Sequence, residues 1–139
     1  MTVMRRGFRR EIDALDEIFR FLEDFVDGDE IDERTAFTIN LVVEELFTNM
    51  VRHNNDGDDV INLSIERVGD RLHLELVDSG VERFDPESVP APPVAAGIGE
   101  RSPGGLGLYL VQTMVDDVKY EYEPETRQMR VLVTKRLER

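Results

Sequence analysis

The chain has no cysteine, which excludes disulfide staples, zinc–thiolate centres and thiol nucleophiles together. Oxygen and nitrogen chemistry remains, with hard cations as the metals to expect. Long apolar runs are missing as well: the longest stretches are three or four residues, far short of the roughly 20 that cross a bilayer. The opening MTVMRRGFRR carries arginines but no apolar segment behind them and no small-residue cleavage site. Nothing in it reads as a secretion signal, and a cytoplasmic location is expected. Cations are scarce relative to acids, with 17 Lys and Arg against 30 Asp and Glu and a formal net charge of −13. Such a surface repels phosphate backbones and anionic headgroups, which argues against nucleic acid or a membrane as the main partner. A polyphosphate ligand meets the same repulsion and needs a cation or oriented backbone N–H groups to offset it.

What is present suffices for one core. With 139 residues, 40% hydrophobic and 34% charged, residues 1–139 read as a single globular domain, because two halves would each be too small. From about residue 8 to 26, Ile12, Leu15, Ile18, Phe19, Leu22, Phe25 and Val26 recur at three- and four-residue spacing, the pattern of an amphipathic helix that Gly28 ends. Asp32 is placed to cap a second helix over 33–53. That helix is apolar around more of its circumference, through Phe37, Ile39, Leu41, Val42, Leu46, Phe47, Met50 and Val51, and should be the central, most buried one.

Two alternating stretches, 60–68 and 71–77, meet at Gly69-Asp70 and predict a hairpin, with Ile61, Leu63, Ile65, Leu72, Leu74 and Leu76 on the buried face. Five of the six prolines fall between residues 80 and 105, which predicts a long loop, and a loop of that length in a small domain is usually functional. A helix over 107–115 and a second hairpin, 119–123 with 129–137, complete the chain. A first strand near residues 2–4 fits the pattern too. Runs of helices separated from runs of strands favour an α+β two-layer sandwich over a doubly wound parallel sheet.

Three segments carry candidate chemistry. Glu45, Asn49 and His53 recur every fourth residue and line one helix face. Amphipathicity alone would produce such a stripe as a solvated face; on a helix this apolar, the same groups can also serve as general base, metal ligand and orienting imidazole. VDSG, residues 77–80, ends a strand with an aspartate. This reads as a turn former or as a carboxylate able to accept from an exocyclic amine. SPGGLGLYLVQTMVD, residues 102–116, leads glycines into a helix, a plain linker or a phosphate cradle of exposed N–H groups at a helix start. The GxGxxG pattern is incomplete and follows a loop instead of a strand, which argues against a Rossmann site, and there is no GxxxxGK[ST] loop.

In this order and spacing, ELFTNMVRHN, LVDSG and GGLGLYLV resemble the three nucleotide-binding boxes of the GHKL (Bergerat-fold) ATPases, and within them the bacterial anti-sigma factor serine kinases. The resemblance implies a mixed sheet covered on one face by helices. It further implies a protein that binds ATP with Mg2+, holds a sigma factor and phosphorylates a serine of an anti-anti-sigma partner. Glu45 would be the general base, Asn49 the magnesium ligand, and Arg52 and His53 would line the phosphate side. Asp78 would read the adenine amine, with Gly80 letting the base come close, and Gly104, Gly105, Leu106, Gly107 and Leu108 would wrap the phosphates. The alternative is an ATP-gated regulatory module without kinase activity. It is motivated by two departures from the family pattern: Glu82 stands where a second glycine is usual, and Met129 and Arg130 where a threonine often supports adenine recognition. A homodimer through the first helix is compatible with the apolar face of Phe19, Leu22 and Phe25, residues that core packing would use equally well.

Overall fold

A computed structural model describes residues 3–53, 57–81 and 111–137. The strands are β1 (Val3–Arg9), β2 (Val60–Val68), β3 (Arg71–Ser79), β4 (Asp117–Glu123) and β5 (Gln128–Arg136), and the helices α1 (Leu15–Gly28) and α2 (Glu33–His53), with a short 3-10 turn at Ile12–Ala14 before α1. The strands form one sheet in the order β1-β2-β3-β5-β4. The α+β class is as expected, but every described pairing is antiparallel, where a mixed sheet is expected. The reason is connectivity. β2–β3 and β4–β5 are hairpins, and β1 reaches β2 through a pair of helices whose short connection reverses the chain once more, so the strand returns antiparallel.

The N-terminal helix begins later than its periodicity suggests, because residues 3–9 are drawn into an edge strand whose Phe8 lies opposite Ile61. Phe8 is buried and packs edge-to-face on Phe21 of α1, with ring centroids 5.5 Å apart. This contact fixes the chain where it leaves β1. At the other end of α1 the helix stops at Gly28, yet the left-handed residue of the cap is Glu30, with φ 52°. The cap is closed by the amides of Asp29 and Ile31 donating to Phe25 and Val26 carbonyls.

On α2 the buried residues are Thr35, Thr38, Ile39, Val42, Val43, Leu46, Phe47 and Met50, a three-four spacing that lays one stripe along the sheet. Opposing it are Ile61, Leu63, Ile65, Leu72, Leu74, Leu76, Val131 and Val133; a fully buried side chain of this size contributes about 1.5–3 kcal/mol. Phe37 departs from the expected core: it is 64% exposed, its direction on the helix turning it away from the buried stripe. Leu22 and Phe25 are buried in this core, which takes both from the face considered for a dimer. Among the described residues no helix is long and apolar enough to cross a membrane.

Candidate functional site

The face carrying Glu45 and Asn49 is set by how α2 begins. Asp32 accepts a hydrogen bond from the Thr35 amide, 3.0 Å, as an N-cap does, and hydrogen bonding to Thr35 lowers the Asp32 carboxyl below its ordinary value. With Leu46, Phe47 and Met50 turned into the core, Glu45 and Asn49 fall at the margin of the buried stripe and are half-buried, whereas Arg52 and His53 are exposed. A purely solvated stripe would leave Glu45, Asn49 and His53 all in water. Glu45 shows the chemical consequence: burial, reinforced by the neighbouring Glu44 charge and opposed by Arg52, raises its carboxyl above the ordinary glutamate value. That is the direction in which a carboxylate becomes a better proton acceptor.

The second segment arrives along β3. Residues 72, 74, 76 and 78 share the helix-facing side, so the alternation that buries three leucines also buries Asp78, which has no exposed surface. Directly across the ladder is Met129, itself buried, whose thioether side chain carries no N–H or O–H. Arg130, the other departure noted at this strand start, belongs to the opposite face and reaches toward Glu75. Beyond β3, Gly80 adopts φ +71°, and a Cβ there would lie 2.7 Å from Asp58 Oδ1. The exit is pinned by the Asp58 amide on the Ser79 carbonyl, by the Val81 amide on the Arg127 carbonyl and by Tyr122 Oη on the Val81 carbonyl. Gly80 therefore serves a close approach of two backbone segments.

One partner of Asp78 was not visible in the sequence. It is Arg10, 68 residues away, whose Nη1 and Nη2 donate to the two carboxylate oxygens. Nε of the same guanidinium donates to the Asp58 carbonyl at 2.7 Å, and Nη1 also to the Met50 carbonyl at 3.2 Å. The Arg10 side chain is only 8% exposed. Strand parity explains its burial. Arg10 continues the inner-face series of Met4, Arg6 and Phe8, and its amide is held by the Asp59 carbonyl. The Met50 carbonyl belongs to the last turn of α2, where carbonyls lack helical partners and the helix dipole favours a cation. One guanidinium thus ties the helix turn next to Asn49 to the buried aspartate of β3, and brings two of the three sequence segments together.

The third segment, Gly104, Gly105, Leu106, Gly107 and Leu108, lies outside the described residues, as do Glu82 and most of the proline-rich stretch. The predicted helix over 107–115 is seen from residue 111, with 111–114 helical and Val111 buried in the core. Among the described residues no group of three or more acidic or histidine side chains converges on a metal position. A cation held here would rest on few protein ligands together with phosphate oxygens and water, the usual manner of magnesium. The Asn49 carboxamide suits that role chemically.

A model of the histidine kinase-like ATPase domain family matches residues 8–135. Among similar proteins, the serine-protein kinase RsbW of Listeria monocytogenes serotype 4a is 33% identical over 91 residues, covering 61% of this chain and 57% of that protein. The serine/threonine-protein kinase BtrW of Bordetella bronchiseptica is 27% identical over 110 residues, covering 78% of this chain and 76% of that protein. The chain thus spans less than two thirds of the length of the Listeria relative. Among solved structures, the RsbU and RsbW domains of Rv1364c from Mycobacterium tuberculosis match with TM-score 0.72 at 15% identity, over 100% of this chain and 33% of that one. The SiaB-SiaC complex from Pseudomonas aeruginosa matches with TM-score 0.62 at 14% identity, over 95% and 88%. At these identities the two structures speak for the fold.

Proposed function

Because the chain belongs to the histidine kinase-like ATPase domain family, we propose that it binds ATP with Mg2+ and transfers the γ-phosphate to a serine of an anti-anti-sigma partner, while also holding a sigma factor. The observation that carries this reading is the pairing of a desolvated Glu45 with Asn49 one turn further on α2, beside a carboxylate, Asp78, buried at the end of β3. Glu45 accepts the proton of the serine hydroxyl as its oxygen bonds to the γ-phosphorus. The bond from that phosphorus to the β–γ bridging oxygen breaks, ADP leaves, and the proton stays on Glu45 until solvent takes it. Asn49 would hold a magnesium ion through its carboxamide oxygen, the ion would supply charge neutralisation of the phosphates, and Arg52, His53 and the residues 104–108 would line the phosphate side. Asp78 accepts from the adenine amine, and Gly80 keeps the neighbouring backbone close. In phosphoryl transfer, positioning and charge neutralisation carry most of the rate.

The test is transfer of labelled γ-phosphate to anti-anti-sigma proteins from the same genome, with Glu45→Gln and Asn49→Ala as controls. Transfer that survives Glu45→Gln removes Glu45 as the base. The second reading, an ATP-gated docking module without kinase activity, draws on Asp78 being already paired with Arg10 and faced by Met129. It wins if Mg-ATP binds and changes partner affinity without phosphate transfer. A melting temperature unmoved by saturating Mg-ATP would remove both readings, since a ligand of the native state must stabilise it.

A further inference from the structure

β1 is an edge strand: it pairs with β2 on one side and with no described strand on the other. Which backbone groups the open edge presents follows from the register. The Arg10 amide donates to the Asp59 carbonyl, one step beyond the ladder in which Phe8 lies opposite Ile61 and Arg6 opposite Leu63. Bonding direction alternates along an antiparallel strand, so the even positions bond to β2, while Val3, Arg5, Gly7 and Arg9 turn their amides and carbonyls outward. The Arg9 carbonyl accepts from the Glu11 amide; the other groups of this set form a row of peptide donors and acceptors along the edge. The same odd positions place their side chains on the sheet face away from the helices, and Arg5 and Arg9 are exposed there.

Charge says what this edge accepts. Residues 1–10 hold four arginines and no acid, in a chain whose net charge is −13. Charges on an edge strand repel a second edge of the same kind. Two copies of β1 paired antiparallel about Gly7 would set Arg5 of one against Arg9 of the other, a destabilising like-charge contact. The far edge, β4, turns Asp117, Glu121 and Glu123 to the same sheet face but has Lys119 among them, and any antiparallel register of β4 that spans Arg5 to Arg9 brings Lys119 opposite an arginine or between the two. An acidic strand from elsewhere meets neither obstacle. Arg9 has only a surface ion pair with Glu11, 3.1 Å, of a kind worth little and easily exchanged, and Arg5 makes no ion pair among the described residues. Gly7 leaves the space between the arginines without a side chain; Val60 and Asn62 lean over it, since a Cβ there would lie 2.6 Å from Val60 Cγ1 and 3.1 Å from Asn62 Oδ1. We propose that the open edge of β1 is a docking site for an extended acidic segment of a partner protein, which adds to the sheet as a further antiparallel strand. Acids at alternate positions of that segment, opposite Arg5, Gly7 and Arg9, each come within reach of an arginine, while its backbone pairs with the outward row. A polyphosphate would satisfy the arginines but has no donor for the outward carbonyls. The inference is independent of the nucleotide reading.

The experiment is fluorescence anisotropy of a labelled, capped peptide alternating glutamate and valine, titrated with the full chain in the absence of nucleotide. Binding should weaken by about tenfold when Arg5→Glu and Arg9→Glu are combined; both side chains are exposed, so the double variant should keep the wild-type melting temperature. Unchanged affinity in that variant, or no binding of the peptide to wild type at millimolar concentration, would overturn the proposal. Strand addition has its own signature. In the antiparallel pairing the glutamates exchange backbone hydrogen bonds with Arg5, Gly7 and Arg9, so N-methylation of the glutamate amides should abolish binding and N-methylation of the valine amides should leave it intact. Equal binding of the two methylated peptides, or of a peptide with the same glutamates grouped at one end, would reduce the contact to charge alone and sink the idea. Equally tight binding of an oligothymidylate of the same charge would make the edge a polyanion surface, against the proposal. Sedimentation of the chain with and without peptide tests the remaining occupant: a self-associated species that the peptide disperses would assign the edge to a second copy and overturn the assignment made here.

Discussion

Breaking the Arg10–Asp78 pair from either side should cost more than removing it whole. The side chains are 8% and 0% exposed, so solvent screening is slight and each single change strands a buried charge. Arg10→Met leaves the Asp78 carboxylate without its cation, and Asp78→Asn leaves the guanidinium without its anion; each loss is worth about 3–5 kcal/mol in such a setting. The double variant buries no charge. What it still lacks are the Arg10 bonds to the Asp58 and Met50 carbonyls, about 1 kcal/mol each and so about 2 kcal/mol in all. The two single losses thus sum to about 6–10 kcal/mol, and the cycle should show at least about 3 kcal/mol of coupling. At about 3–4 °C per kcal/mol for a chain of this size, either single variant should melt at least about 10 °C lower, and the double variant less far below wild type. Urea unfolding of all four proteins, followed by circular dichroism, measures this directly. Losses that add to within about 0.5 kcal/mol would mean that the two groups do not interact, and the account of the site would fail with them.

Three further outcomes test other parts of the structure. Burial raises the Glu45 carboxyl, so the folded state holds that proton more tightly than the unfolded chain; stability is fullest below the unfolded value and falls as pH rises through the folded one. Glu45→Gln should therefore melt higher than wild type at pH 8 and lose that advantage well below the carboxylate range, and an equal difference at both pH values would contradict the desolvation of Glu45. Gly80→Ala forces a side chain into φ +71° with its Cβ 2.7 Å from Asp58 Oδ1; the left-handed backbone alone costs about 1–2 kcal/mol, and Asp58→Ala should relieve only the steric remainder in a thermal melt. Asp32→Ala removes the cap on the Thr35 amide and should destabilise by about 1 kcal/mol at pH 7. Because the Asp32 carboxyl sits below its usual value, this difference should shrink as pH falls through the folded value, and denaturant titrations at pH 7 and pH 2.5 would show whether it does.

Local pattern carried much of the fold. Apolar alternation over 60–68 and 71–77 marked β2 and β3 because an antiparallel sheet with helices on one face must alternate. The three-four spacing after Asp32 marked α2 with its bounds, since a strong cap and a long apolar stripe agree there. Spacing failed where two periods compete. Residues 3–9 belong to β1 because pairing with β2 buries Phe8 against Phe21, a gain invisible in a short segment crowded with arginines. Phe37 is apolar by type, but its angle on α2 points it away from the sheet.

For the site, the sequence by itself determined which side chains could do chemistry and their order along the chain: Glu45 and Asn49 at one-turn spacing, and Asp78 and Gly80 where a strand ends. Spacing on one element is a local quantity, fixed by helix pitch or strand pleat before anything packs. Only the tertiary structure decided which of these groups leave water and what they meet there. It half-buried Glu45 and left His53 exposed, set Met129 opposite Asp78, and brought Arg10 across 68 positions to a carboxylate no local pattern could connect with it. Charge pairing of that range depends on strand register and on which face of the sheet the helices cover, and both are settled by burying the core as a whole.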